Sequence, residues 1–460
     1  MLQDLLSVYK PRLTGHTVLR AQRNFGRAVA IQSGNIVANT FSVGGGVSAR
    51  VYDGGFWGIA SDTTYDASAI EKALSDATRN AGLLRARLGE KSPPLPVAPS
   101  GKFATRSNEN DAEQRAVMEF TRELDAYILK KYPNLAARVV SLQSNAVEKV
   151  TVSSDGADLY SILPRSVAYF SLCATAPDGM VVEYTDFEAK TGFIPECYPA
   201  PEALFPKIDE IYETLMKKCE GVFPEAGLRD VIIDSNLGGM LAHEAIGHPT
   251  EADLVRAGSI AGSNLGKAVA SELISITDFA NTAYGKTLPQ NVLVDDEGTP
   301  ARDVKIIQNG VLREFMHSRD TARHFNVEPT GNARAESFAA EPIVRMRNTA
   351  ILPGKDKIED MIASVDDGYF LAQTGNGSAD LTSEFMFGVT MGYEIKKGKL
   401  GRAIRDTTVS GVAFDMLKTV TMVSDELTWH GGGTCGKFGQ SMPVGMGGPS
   451  IKCKITMGGR

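Results

Sequence analysis

Gly238-Gly-Met-Leu-Ala-His243-Glu244-Ala-Ile-Gly247-His248-Pro249 places two imidazoles and a carboxylate within six residues of a chain that has only six histidines. The run Asp230-Val-Ile-Ile-Asp234 before it reads as a short strand, and Gly238-Gly239 leads into a helix carrying His243 and Glu244. Two histidines beside a carboxylate are the donor set of a divalent cation with an adjacent base. Their spacing poses a problem. Positions five apart on a regular α-helix lie about 140° apart around the axis, so His243 and His248 would not face one ion. For both to chelate, the helix must widen by a residue or end at once. Gly247 permits such a departure, and Pro249 cannot continue the hydrogen-bond ladder. The bland alternative is a helix end capped by two histidines, with Glu244 in solvent.

A catalytic metal takes three protein ligands and leaves one position for water. The candidate third ligand is Cys435, in His430-Gly-Gly-Gly-Thr-Cys435-Gly-Lys-Phe-Gly-Gln. Glycines on either side let a thiolate approach an ion closely. The alternative is a small buried thiol in a turn, but this loop is polar and glycine-rich, whereas Cys453 sits in the alternating strand SIKCKITM. The same loop nearly completes a phosphate-cradling pattern, Gly431-x-x-x-x-Gly436-Lys437. It fails because Phe438 stands where a magnesium-binding hydroxyl is needed, and Gly439, Pro443, Gly445, Gly447 and Gly448 forbid the helix that must follow. His430, His317 and His324 are candidates to stabilise a reaction intermediate, and Glu251 or Asp253 to orient an imidazole. Surface solvation is the expected role of at least one of those carboxylates, and MHSRDTARH reads as an ordinary polar helix.

Working outward, residues 18–62 read as strands around Ser-Gly-Asn and Asp-Gly-Gly turns. Asp66 caps a helix through Leu88, with Ile70, Leu74, Ala77, Ala81 and Leu84 on its buried face. Residues 91–101, KSPPLPVAPSG, form a proline-rich connection. A second helix runs from about Asp111 and stops before Pro133, burying Val117, Phe120, Leu124 and Ile128. Residues 137–187 read as an antiparallel meander broken by Asn-Ala, Asp-Gly and Pro-Asp-Gly turns. Lys207–Cys219 is a third helix that buries Ile208, Ile211, Tyr212 and Leu215. Beyond the key segment, DVKIIQNGVLREFMH, GVTMGYEIKKGKLGRAI and TVSGVAFDMLKTVTMVS are mostly β. Gln373–Asp380 reads as a flexible loop near the site or a plain connection. The expected fold is α+β in two domains: residues 1–225 with an antiparallel sheet and long helices, and residues 226–460, mostly β, carrying the metal-site helix.

Composition bounds the rest. Hydrophobic content of 43% and charged content of 22% over 460 residues suit a globular protein long enough for two cores. A net charge of −7 argues against nucleic-acid and anionic-membrane partners. Five cysteines in unpaired spacing suit a reducing compartment. The start, MLQDLLSVYKPRL, has no secretory pattern, and no run of about twenty apolar residues exists to span a membrane. A cytoplasmic protein is expected.

HEAIGHPTEAD, GTCGKFGQSMPVGMGGPSIK and PTGNARAES…PIVRMRNTAILPG together resemble the TldD/PmbA family of metalloproteases, and GVSARVYDGGFWGIASD fits more loosely. The chain is similar to the catalytic, TldD-type member. The resemblance implies that His243, His248 and Cys435 hold one zinc ion per subunit, with Glu244 as catalytic base. It also implies cleavage of unfolded peptides by a metal-bound water, within an intracellular homodimer or a heterodimer with a PmbA-type paralogue. Pro249-Thr250 departs from the family, where a glycine and a larger apolar residue often follow. The competing reading is a non-catalytic scaffold subunit with a structural metal. A structural site normally closes with four protein ligands, and no fourth has a motif-like position.

Overall fold

The computed structural model describes residues 2–89, 95, 101–105, 111–431 and 433–458. After two short helical turns, Leu2–Leu5 and Lys10–Arg12, the chain enters an antiparallel meander. β1 (His16–Gln32) turns through Ser33-Gly34, both at positive φ as a tight hairpin requires, into β2 (Asn35–Asp53). β3 (Phe56–Asp62) follows, while β5 (Ala137–Ser153), β6 (Ala157–Thr175) and β7 (Val181–Thr191) extend the sheet beyond β1. The short β4 (Gly101–Thr105) runs parallel to the start of β6.

Three helices cover this sheet. Ala67–Leu88 starts where the Asp66 carboxylate accepts from the Ala69 amide, a cap that contributes about 1 kcal/mol. It buries a face of small residues, Ala69, Ala73, Ala77 and Ala81, with Ile70. A side chain at Gly58 of β3 would come within 2.0 Å of the Ala77 carbonyl, so the glycine permits strand and helix backbones to touch. Gln114–Lys131 and Phe205–Cys219 pack together on β5–β7, burying Val117, Leu124 and Ile128 against Ile208, Ile211 and Leu215.

The rest of the chain is largely β. Strands 367–379, 227–233, 451–457, 407–412 and 384–396 follow one another, and the last pairs with the first, so the path closes into a ring with 399–404 added outside. A second sheet orders strands 311–312, 304–308, 276–279, 348–351, 445–448 and 428–430. The helical segment 235–250 packs on strands of both, and one apolar core runs through all three. Polar contacts join the two ends of the molecule. Arg50 pairs with Glu297 at 3.1 Å, Lys149 with Asp296 at 2.8 Å and Arg319 with Asp155 at 2.8 Å. From β1, one guanidinium nitrogen of Arg20 donates to the carbonyls of Ser337, Phe338 and Ala340, while Gln22 and Asn24 donate to that of Glu336. The fold is α+β, as expected.

Several local readings need correction. Asn145-Ala146 is no turn: β5 runs straight through it, because both residues pair with β1 on one side and with Arg165 and Pro164 of β6 on the other. Gln373–Ala379 is not a loop but the end of strand 367–379, accommodated by register shifts near Gln373 and Thr374. Its Gly377 serves close approach, since a side chain there would meet the Phe387 ring at 2.1 Å. Ala413–Lys418 within the third C-terminal run is a helix that buries Phe414, Met416 and Leu417. Leu84 is exposed, and Leu74, Phe120 and Tyr212 are only half-buried; Tyr212 stacks on Tyr132 with ring centroids 3.7 Å apart. The proline-rich connection lies outside the described residues apart from 95 and 101.

Candidate metal centre

Strand Gly227–Ile233 ends at Asp234, whose carboxylate accepts from the amides of Asn236 and Leu237, both at 3.0 Å, and starts helix Ser235–Leu241. Both glycines in that helix lie close to other backbone, Gly238 with 3.2 Å between an added side chain and the Pro449 carbonyl. A side chain at Gly239 would sit 3.0 Å from the Gly447 nitrogen, so the helix backbone lies directly on strand 445–448. From Ala242 to Gly247 the helix widens into a π turn, in which the His248 amide donates to the His243 carbonyl five residues earlier. That turn brings both imidazoles to one side, with ring centroids 5.2 Å apart.

The break after the turn is well satisfied. Pro249 contributes no amide, and the Ala245 carbonyl accepts from the Ser383 hydroxyl at 2.8 Å. The Thr250 hydroxyl donates to the carbonyls of Ile246 and Gly247, both at 2.9 Å. A methyl group at Gly247 would lie 2.0 Å from the Met346 sulfur.

Cys435 arrives on a two-stranded hairpin, Thr434–Lys437 with Gln440–Pro443, turned by Phe438-Gly439 at positive φ. Its sulfur lies 3.1 Å from His248 Nε2, and Arg345 donates to its carbonyl. One donor atom from each of His243, His248 and Cys435 lies within 4.8 Å of the others. Burial raises the thiol's pKa, but the two facing imidazoles outweigh it and bring Cys435 down to about 5. The facing imidazoles thus favour its thiolate form. Both ring nitrogens of His243, which is 1% exposed, lack a hydrogen-bond partner. A buried imidazole without any partner is costly unless a ring nitrogen is given to an ion.

Behind His248 stands Glu251, fully buried, whose Oε2 lies 2.8 Å from Nδ1. Burial pushes this carboxyl up, but Lys437 and then His248 pull it down to about 2. Burial also opposes the charged form of His248, yet Glu251 and Cys435 raise it to about 10. The negative groups around His248 therefore demand a positive charge on it, which a divalent cation supplies as well as a proton does. Glu244, half-buried, places Oε2 3.7 Å from His248 Nε2. The donor set, the unpartnered imidazole and the surplus negative charge all fit a cation such as zinc.

Neither acidic neighbour is left to solvent. Asp253 pairs at 2.7 Å with Lys437, whose ammonium also reaches Glu251 at 3.1 Å and the Val344 carbonyl at 2.8 Å. Lys437 is the residue that sequence reasoning missed. In the sequence it stands only in an incomplete phosphate loop, and no local signal ties it to Asp253, 184 positions away. His430 stands apart from the trio, with Nε2 3.2 Å from the Ser235 hydroxyl. His317 is buried against Thr321 and held down to about 4, by burial first and then by Arg302. His324 stacks edge-on against Phe325 in the short helix Arg319–Phe325, capped by Ser318. Neither His317 nor His324 belongs to the group of converging donors.

Residues 226–459 match the model of the PmbA/TldA metallopeptidase C-terminal domain, and residues 18–81 match that of PmbA/TldA metallopeptidase domain 1. A metalloprotease TldD homologue of Buchnera aphidicola is 41% identical over 243 residues, 52% of this chain and 48% of that protein. The chain thus spans about half the length of this curated relative. A zinc metalloprotease TldD homologue of Saccharolobus solfataricus is 30% identical over 333 residues, 71% of this chain and 72% of the other. The crystal structure of TldE from Thermococcus kodakarensis superposes with a TM-score of 0.74 at 18% identity, covering 100% of both chains, a likeness of fold.

Proposed function

The chain belongs to the PmbA/TldD family of metallopeptidases, and from that premise we propose that it is a zinc-dependent peptidase acting on unfolded peptides or flexible protein segments. His243, His248 and Cys435 are the ligands of one zinc ion per subunit, and Glu244 is the base. The observation that carries this reading is the convergence of the three donors around an imidazole with no other partner, beside a carboxylate 3.7 Å from His248 Nε2.

Bound zinc supplies Lewis acidity and lowers the pKa of a coordinated water. Glu244 takes the proton released as the scissile carbonyl is attacked and returns it to the departing amine. Glu251 fixes the His248 ring through Nδ1, and Lys437 keeps Glu251 ionised. Arg345 anchors the hairpin that presents Cys435. That hairpin is a two-stranded sheet whose outer edges pair with no further strand among the described residues, which supports docking of an extended peptide by main-chain hydrogen bonds.

Division of the chain at residues 225 and 226 belongs to the same reading. So does assembly as a homodimer or as a heterodimer with a PmbA-type paralogue, which the fold shared with TldE supports. No helix among the described residues is long and apolar enough to cross a membrane. A cytoplasmic location is part of the proposal.

The test is metal analysis of the purified protein together with digestion of an unfolded peptide, with and without chelator, for the native chain and Glu244→Gln. The variant is expected to keep its zinc and to lose hydrolysis by at least about 100-fold. Undiminished function in Glu244→Gln points instead to a scaffold with a structural metal.

A further inference from the structure

Between the first sheet and the C-terminal half lies a cavity of about 440 Å³, within the range of small-ligand sites. Asn145, Leu163 and Arg165 line one wall, and the 289–296 segment lines another. Thr434 and Met442, the chain neighbour and the cross-strand partner of Cys435, close a third side. Anything that fills the cavity therefore lies against the hairpin that carries the thiolate.

Arg165 is the anomaly in this wall. On β6 it pairs with Asn145 and Thr191, and it alternates with Ser166, Ala168 and Phe170, which point into the helix-covered core. Its own side chain therefore leaves by the opposite face, where it lines this cavity and a second one of about 510 Å³ beside Gly431. The guanidinium makes no ion pair or hydrogen bond with any described residue, and its buried Nε has no partner. Burial depresses its pKa with no carboxylate to offset the effect.

The other charges of the cavity are spoken for. Lys149 neutralises Asp296 at 2.8 Å, and Glu336 accepts from the Ser441 amide. Asp295, raised first by burial and then by Glu297, accepts from the amides of Glu297, Thr299 and Ala333. Arg334 donates to the carbonyls of Met346 and Pro443. Among the described charged residues that line the cavity, Arg165 alone is thus left without a partner.

We propose that Arg165 is a specificity residue of the substrate cleft, pairing through its planar fork with a carboxylate of the bound peptide. That carboxylate is either the C-terminal α-carboxylate or the side chain of an Asp or Glu. The inference rests on the peptidase reading for its substrate class, and its test does not require turnover. A guanidinium fork matches a carboxylate with two parallel hydrogen bonds, which an amide cannot reproduce.

The experiment measures binding to zinc-loaded Glu244→Gln protein by calorimetry. One arm compares N-acetyl-tetra-alanine with its C-terminal amide. The other compares Ac-Ala-Ala-Glu-Ala-amide with its Gln counterpart. The expected result is a preference of about 10- to 100-fold for the carboxylate in one arm, which identifies the source. The preference is expected to vanish in Arg165→Gln/Glu244→Gln and to return in part with Arg165→Lys, with zinc content unchanged in all three. Equal binding of acid and amide in both arms, or a preference that survives Arg165→Gln, overturns the proposal. Failure of the native enzyme to hydrolyse any peptide overturns the peptidase reading separately, because these binding arms do not depend on catalysis.

Discussion

Glu251 carries more of the centre than its place outside the donor trio suggests. It is fully buried, 2.8 Å from His248 Nδ1 and 3.1 Å from Lys437. Glu251→Gln keeps the shape and removes the charge that aligns the ring. Zinc affinity is expected to fall about 10- to 100-fold, read by competition with a chromogenic chelator, with Cys435 and both imidazoles still in place. Unchanged affinity would show that the ring is held by packing alone. The sequence exposed this residue only as one of two acidic neighbours, because burial is decided by what packs on 251 from elsewhere. Lys437 was harder to see. A lysine among glycines advertises phosphate, and only the hairpin's path over the helix end brings it to Glu251 and Asp253.

At the level of elements, the segment 242–247 shows what spacing can and cannot reveal. Histidines five apart demanded a departure from the α-helix, and Gly247 with Pro249 marked where it could occur. The form it takes, a π turn closed by the His248 amide on the His243 carbonyl, depends on Ser383 and Thr250 satisfying the carbonyls released. Gly247→Ala tests the turn. Its methyl would meet the Met346 sulfur at 2.0 Å, so a loss of about 1–3 kcal/mol in unfolding free energy is expected by denaturant titration. Met346→Ala in the same chain should recover part of that loss, since the obstacle is a side chain. The strand 367–379 taught the opposite lesson. Its glycines and polar residues read as a loop, yet bulged pairing and the Phe387 ring use those small residues to hold a strand together. Asn145-Ala146 likewise looked like a turn only while its two partner strands were unknown.

Across the whole molecule, the class of fold was legible because alternation and helix caps are local, whereas the closed ring of strands was not. One of its pairings joins residues more than two hundred positions apart, Ile451 with Ile233. Stability should carry the mark of the half-buried cap at the root of the site helix. Burial raises Asp234 to about 7 against its backbone hydrogen bonds, far above its value in an unfolded chain, about 3.9. The folded state thus holds this proton more tightly. Its contribution is complete below about pH 4 and is lost as pH rises through about 7. The melting temperature in chelator should therefore fall from pH 5 to pH 8 more steeply for the native chain than for Asp234→Asn, which can still cap the helix. Parallel curves would remove Asp234 as the cause. The joint between the first sheet and segment 336–340 has a lasting asymmetry. Arg20, Gln22 and Asn24 grasp main-chain oxygens, so these particular bonds do not depend on which side chains the grasped residues carry. The specificity of this joint therefore lies in the three polar side chains of one strand, and a change there breaks it where a change opposite leaves the bonds in place.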